Sequence, residues 1–233
     1  AYAADGYARI SGLGAVVTTF GVGELSAING IAGSFAEYVP VVAITGAPSL
    51  AVQGSGAMMH HTLGTGDFSV FARMYERVTA AQAYLTRENA AAEIDRVLTI
   101  CLRRKQPVYI SLPVDVAATK IKAPAAPLAA SGYSSDPAAL ADAVDAVAEM
   151  LGSASRPVVL ADVGVDRYRM HDALRALLDA TGYPWATMTM GKGLLEESHP
   201  QFIGIYGGAL SSDYVRTRIE DAEPKLILSA SCG

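Results

Sequence analysis

Charge is scarce in this 233-residue chain: 18% of residues are Asp, Glu, Lys or Arg, and the net charge is −5. That excludes the concentrated basic face of a nucleic-acid binder. A mildly acidic balance mainly favours solubility and names no partner. Long apolar runs are missing as well. No stretch of roughly 18 uncharged apolar residues occurs, so no membrane span is expected. The first residues, with Asp5 and Arg9, lack the charge–apolar–cleavage order of a secretion signal. There are two cysteines. Cys101 falls on an expected buried helix face and Cys232 near the end, which is no disulfide framework and fits no metal site. A reducing, cytoplasmic setting is the expectation.

What is present is apolar. Hydrophobic residues make up 51%, enough for one large or two ordinary domains. "AVVTTF" (15–20) is a β-branched run bounded by glycines, hence a buried strand. "GELSAINGIAGSFAEY" (23–38) has a helical period through Leu25, Ile28, Ile31, Ala32 and Phe35. "VPVVAITGAP" (39–48) is the next strand, completing the strand–helix–strand unit of a parallel sheet. A further strand is expected in 78–85, a helix over 87–105 with Arg103, Arg104 and Lys105 at its carboxyl end, and a strand over 107–113. Residues 115–136 are rich in Ala, Ser and Pro and read as a linker. Alternation then resumes, with helices over 137–152, 168–181 and 211–222 and strands over 156–164, 183–191 and 224–231. Asp136 before Pro137 is a good helix start. The reading is α/β, two incomplete domains of parallel sheet flanked by helices. The chain starts without Met inside a helical pattern and stops just after a strand, as a piece of a longer protein would.

Two phosphate-like motifs are weak. "TTFGVGELS" (18–26) is a strand, a glycine turn and a helix, but the third glycine of the dinucleotide pattern is replaced by Ser26. "GKG" (191–193) lacks the flanking residues of a P-loop, so Lys192 reads as a surface charge. Glu24 opens a helix, where its charge suits the macrodipole. His171 and His199 read as structural. The remaining two of the four histidines stand together in "GAMMHHTLGTGDF" (56–68). Adjacent residues do not share a helix face, and in an extended segment they point to opposite sides. His60 and His61 are therefore not expected to bind one metal ion. An imidazole can give or take a proton near neutral pH, and loops on α/β scaffolds often carry function. Two surface histidines on a flexible loop are the equally weighted alternative.

"AYAADGYARI", "TTFGVGELSAINGIAGSFAEYVPVV", "HHTLGTGDF", "EIDRVL", "PVYISLPVDV" and "MTMGKG" occur in an order that resembles the thiamine diphosphate-dependent 2-keto acid decarboxylases, in the pyruvate, indolepyruvate and phenylpyruvate decarboxylase branch. The resemblance runs over nearly the whole chain and is densest in 1–114. It implies the thiamine diphosphate-enzyme fold: residues 1–114 as an aminopyrimidine-binding domain truncated at its amino end, 115–136 as the linker, and 137–233 as a central α/β domain truncated at its carboxyl end. The family's essential glutamate lies in a segment before Ala1, so Glu24 is not its counterpart. His60 and His61 match the family's catalytic pair. Val22 matches an apolar residue near the cofactor rings, with Thr19 and Gly21 in the same turn. Two positions depart from the pattern: "ADVGVDRY" lacks the cysteine of substrate-activated members, and Tyr38 stands where relatives often have histidine.

The implied reaction is non-oxidative decarboxylation of a 2-keto acid to an aldehyde and CO2 through a thiamine diphosphate carbanion and enamine. Mg²⁺ is implied in a third domain absent from this chain, and the chain alone is expected to be inactive. Self-association to a dimer or tetramer is implied, with the active site between subunits and helix 23–38 at the interface. A carboligase of the same superfamily is the alternative enzyme. A non-catalytic fragment is the alternative outside enzymes.

Overall fold

The structure is a computed structural model that describes residues 1–124, 126–128, 134–223 and 225–228. Contacts divide the chain into two units, Ala1–Gly132 and Tyr133–Gly233, a division that falls inside the stretch read as a linker. Cys232 and the ends of the expected last strand lie outside the described residues. Among the described residues no helix is long and apolar enough to cross a membrane.

The first unit runs α1 (Tyr2–Ser11), β1 (Gly14–Thr19), α2 (Val22–Ala36), β2 (Val41–Ala47), α3 (Leu50–Ser55), α4 (Val70–Tyr75), β3 (Gln82–Tyr84), α5 (Ala90–Arg104), β4 (Val108–Pro113) and α6 (Val114–Ala117). All four strands are parallel, in the order β1-β2-β4-β3. Alternation along the strands sends side chains to two faces. Val41, Ala43 and Tyr109 pack with Ala4, Ala8, Ile31 and Tyr75 from α1, α2 and α4. Val42, Val108 and Ile110 pack with Val97 and Cys101 from α5 on the other. Burial on both faces is why the inner strands β2 and β4 read as continuous apolar runs. Burial also pushes the Cys101 thiol up to about 12.

Helix α2 sits rotated from its sequence reading. Glu24, Ala27, Gly30, Ile31 and Ser34 are buried, while Leu25 is exposed. The short helices α3 and α4 were not expected, and neither was α6 at the start of the linker stretch. The last forms because Val116 is buried in the α5-side core and the Asp115 carboxylate accepts the Leu50 N–H.

The second unit runs α7 (Pro137–Gly152), β5 (Val158–Ala161), α8 (Val163–Arg167), α9 (His171–Thr181), β6 (Trp185–Met188), β7 (Phe202–Tyr206), α10 (Asp213–Glu220) and β8 (Lys225–Leu228). Its sheet is also parallel, in the order β7-β6-β5-β8. The Asp136 side chain caps α7 by accepting the Ala139 N–H, with Pro137 in the first turn. Three elements differ from the sequence reading. Strand β5 ends early and α8 follows it. Strand β6 gives way to a 3-10 turn at Thr189–Gly191, where Gly191 lies against the Asp162 backbone. Strand β7 was missed because Gly204 interrupts its apolar run; a Cβ there would meet Val215 at 2.7 Å.

Candidate active site

The carboxyl ends of β1, β2 and β4 open into a cleft of about 390 Å³ lined by Thr19, Phe20, Gly46, Ala47, Pro48, Met59, Leu112, Val114 and Ala117. Ligands in open parallel sheets bind outside the strand carboxyl ends. Thr19 is the last residue of β1 and is exposed. Gly21 follows at the amino end of α2 with φ +64 and ψ −103, a conformation open to glycine. Val22, the first residue of α2, is 53% exposed. Thr19 lines the cleft, and Thr19 and Val22 are exposed on either side of the buried Gly21.

The histidine loop docks on this turn. A Cβ on Gly21 would lie 1.7 Å from the His61 carbonyl oxygen, so that oxygen occupies the place of a side chain. The Phe20 and His61 rings are 5.9 Å apart. The loop closes on itself as well, since a Cβ on Gly66 would lie 2.4 Å from the Gly56 oxygen. Asp67 ties down its far end. Its carboxylate accepts the Ser69 N–H at 2.8 Å and pairs with Arg73 at 2.8 Å. Those bonds, Arg73 first, hold the Asp67 pKa down to about 2.

His60 and His61 are both exposed. Their rings lie together, with centroids 4.5 Å apart and planes at 50°. The pair therefore does not have the opposed side chains of an extended segment. His61 has φ +62, which folds the chain back and breaks extended alternation. Thr19, Gly21, Val22, His60 and His61 therefore gather at one edge of the first unit. His171 and His199 belong to the second unit. His171 stands 3.3 Å from Asp166, and His199 Nδ1 takes bonds from Trp185 and the Gln201 N–H, as structural residues do. A larger cleft of about 530 Å³ in the second unit is walled by Val165, Tyr168, Leu174 and other apolar groups, and none of the candidate residues reaches it.

Sequence reasoning missed a buried polar network under the turn. The Glu24 carboxyl accepts the Gly21 N–H at 2.7 Å and the Tyr109 hydroxyl at 2.8 Å. Burial raises the Glu24 pKa, and the two bonds lower it in part. Burial likewise pushes the Tyr75 and Tyr109 hydroxyls well above the usual phenol range, with the Glu24 charge adding to it. The three-residue spacing from Gly21 to Glu24 was a visible signal. The pairing with Tyr109, 85 residues away, was not.

Comparison with known proteins gives the family. Residues 1–69 match the family model described as thiamine pyrophosphate enzyme, N-terminal TPP binding domain. Residues 144–232 match thiamine pyrophosphate enzyme, central domain. An alpha-keto-acid decarboxylase of Mycobacterium leprae is 49% identical over 221 residues, which is 95% of this chain and 39% of that protein. A pyruvate decarboxylase of Candida glabrata is 44% identical over 232 residues, covering 98% of this chain and 41% of its own length. One of Kluyveromyces marxianus is 43% identical over the same span. The chain therefore spans about two fifths of the length of these relatives. The cleft, the turn and the histidine loop all lie in or beside the segment matched by the N-terminal model, and the chain belongs to the thiamine pyrophosphate enzyme family.

Proposed function

We propose that the full-length protein decarboxylates a 2-keto acid non-oxidatively to an aldehyde and CO2, with thiamine diphosphate as its cofactor. The names of the similar proteins support this reading. The observation that carries it is the seating of the His61 carbonyl on Gly21, which sets two imidazoles beside the turn that bears Val22. Residues 1–114 serve as the aminopyrimidine-binding domain, 115–136 as the linker and 137–233 as part of the central domain.

The residues present fit the apolar half of the cofactor. The cleft, about 390 Å³, lies in the ordinary range for a small-molecule site. Phe20, Ala47, Pro48 and Met59 suit the faces of a heteroaromatic ring, and Thr19, Gly21 and Val22 would hold its aminopyrimidine part. When bound, thiamine diphosphate supplies a sink for the electron pair left as CO2 departs. One imidazole of the pair binds the substrate carboxylate or holds the proton delivered to the product carbon, and the other orients it. Mg²⁺ is bound with the diphosphate by a domain outside this chain. Self-association to a dimer or tetramer completes the site, a reading supported by the exposure of Val17, Val22 and Leu25 on edge strand β1 and the start of α2. The protein works in the cytoplasm.

His60→Phe and His61→Phe in the full-length enzyme test the reading, by coupled assay of aldehyde release from a panel of 2-keto acids. General acid–base help is worth about 10²–10⁴-fold, and turnover is expected to fall on that scale with cofactor affinity retained. Near-normal turnover in both variants would defeat the assignment.

A further inference from the structure

Burying a carboxyl group costs free energy unless it gains partners. Glu24 is 3% exposed, although an exposed glutamate would complement the macrodipole of α2 equally well. Its burial therefore needs another reason. One carboxyl oxygen accepts the Gly21 N–H at 2.7 Å; the other accepts the Tyr109 hydroxyl at 2.8 Å. The Tyr75 hydroxyl donates to the Glu24 carbonyl oxygen at 2.6 Å. The Tyr75 and Tyr109 rings pack 4.9 Å apart inside the core shared with α1 and β2. Gly21 in turn gives the His61 carbonyl the space of a missing Cβ. The Glu24 side chain thus joins Tyr109 in the core to Gly21 in the turn, its backbone carbonyl adds Tyr75, and the turn seats the histidine loop.

We propose that Glu24 is a positioning residue whose side chain clasps Gly21 to Tyr109 and so fixes both the turn bearing Val22 and the seat of the His60–His61 loop. Its bearing on catalysis rests on the decarboxylase reading; the clasp does not.

Two nearly isosteric variants of the full-length protein separate positioning from core packing. Glu24→Gln keeps an oxygen for the Gly21 N–H, and its amide can donate to the Tyr109 hydroxyl oxygen. Glu24→Met fills similar space and accepts nothing. Hydrogen exchange of the Met variant is expected to quicken about tenfold or more in peptides covering 18–25 and 57–64, and to stay within about threefold in α5 and β4. The Gln variant is expected to stay within about threefold throughout. Loop exchange that is unchanged in the Met variant, or that quickens equally in α5 and β4, would overturn the clasp. Should the Met variant not fold, the Gly21 amide of the wild type decides: protection equal to that of β4 supports the clasp, and rapid exchange overturns it. Thiamine diphosphate titrated with Mg²⁺ gives the separate reading. Its Kd is expected to rise about tenfold in the Met variant and to stay within about threefold in the Gln variant. Local quickening with unchanged cofactor affinity would uphold the clasp and overturn the site.

Discussion

Gly21→Ala probes the contact on which the site reading depends. The added Cβ would lie 1.7 Å from the His61 carbonyl oxygen and 2.8 Å from its carbon. Ordinary contact begins at 3.4 Å, so the loop backbone must withdraw by about 1.7 Å or the turn must rotate. Rotation is opposed by the Glu24 carboxyl on the Gly21 N–H and by the Phe71 ring, 3.3 Å from the new methyl. The exposed loop is the side that yields. The backbone strain of alanine at φ +64 remains, at about 1–3 kcal/mol. A misplacement of about 1 Å at a reacting centre can cost about 10²-fold in rate. The variant of the full-length protein is therefore expected to lose about 1–3 kcal/mol in urea unfolding and about 10²-fold or more in kcat. Retention of kcat within about threefold, with a stability loss below about 0.5 kcal/mol, would refute the docking argument.

Gly33→Ala is the opposite case: Gly33 lies inside α2, and its Cβ would meet nothing within 4 Å, so the variant is expected to gain about 0.5–1 kcal/mol in the same unfolding assay. The Asp67 clamp has a pH window. Its folded pKa of about 2 lies below the usual carboxylate value, so its contribution is present above about pH 3.9 and is lost as pH falls through about 2. Pepsin cleavage within 56–68 is expected to stay slow at pH 4, to quicken toward pH 2, and to be quick at both in Asp67→Ala. Glu24 has the opposite sign. Its folded pKa is raised above the ordinary 4.5, so its contribution is fully present below that value and is lost as pH rises through the folded pKa. Glu24→Gln is therefore expected to gain on the wild type between pH 4 and pH 8, and a constant difference in urea-derived stability would contradict this.

Much of the first unit was legible because its information is local. β1, β2 and β4 are β-branched runs ended by Gly or Pro, and in β2 and β4, covered on both faces, such continuous apolar runs are what burial demands. The outer features failed where one residue type had to answer to a distant partner. Leu25 fits the helical period and is exposed, whereas Glu24 breaks it and is buried, because Tyr109 supplies a hydroxyl from β4. Gly204 hid β7 because its cause, the Val215 side chain, lies on α10.

The histidine pair shows the same limit in the site itself. Spacing weighs against two neighbours sharing a helix face, and opposed side chains follow from it only where the backbone is extended. The positive φ of His61 removes that assumption. Nothing within 56–68 announces it, since histidine is not glycine and the loop has glycines enough to make every other turn. The stimulus is the far side of the contact, Gly21, about 40 residues earlier in the chain. The turn at His61, the seating of its carbonyl on the empty Cβ position and the adjacency of the two rings occur together. Gly21 therefore acts at two levels. Its missing side chain admits the loop, and its N–H, held by Glu24, keeps the opening in place. If this coupling is right, Gly21→Ala and Glu24→Met disturb the same event from its two ends, and the double variant should lose less than the sum of the single losses in free energy.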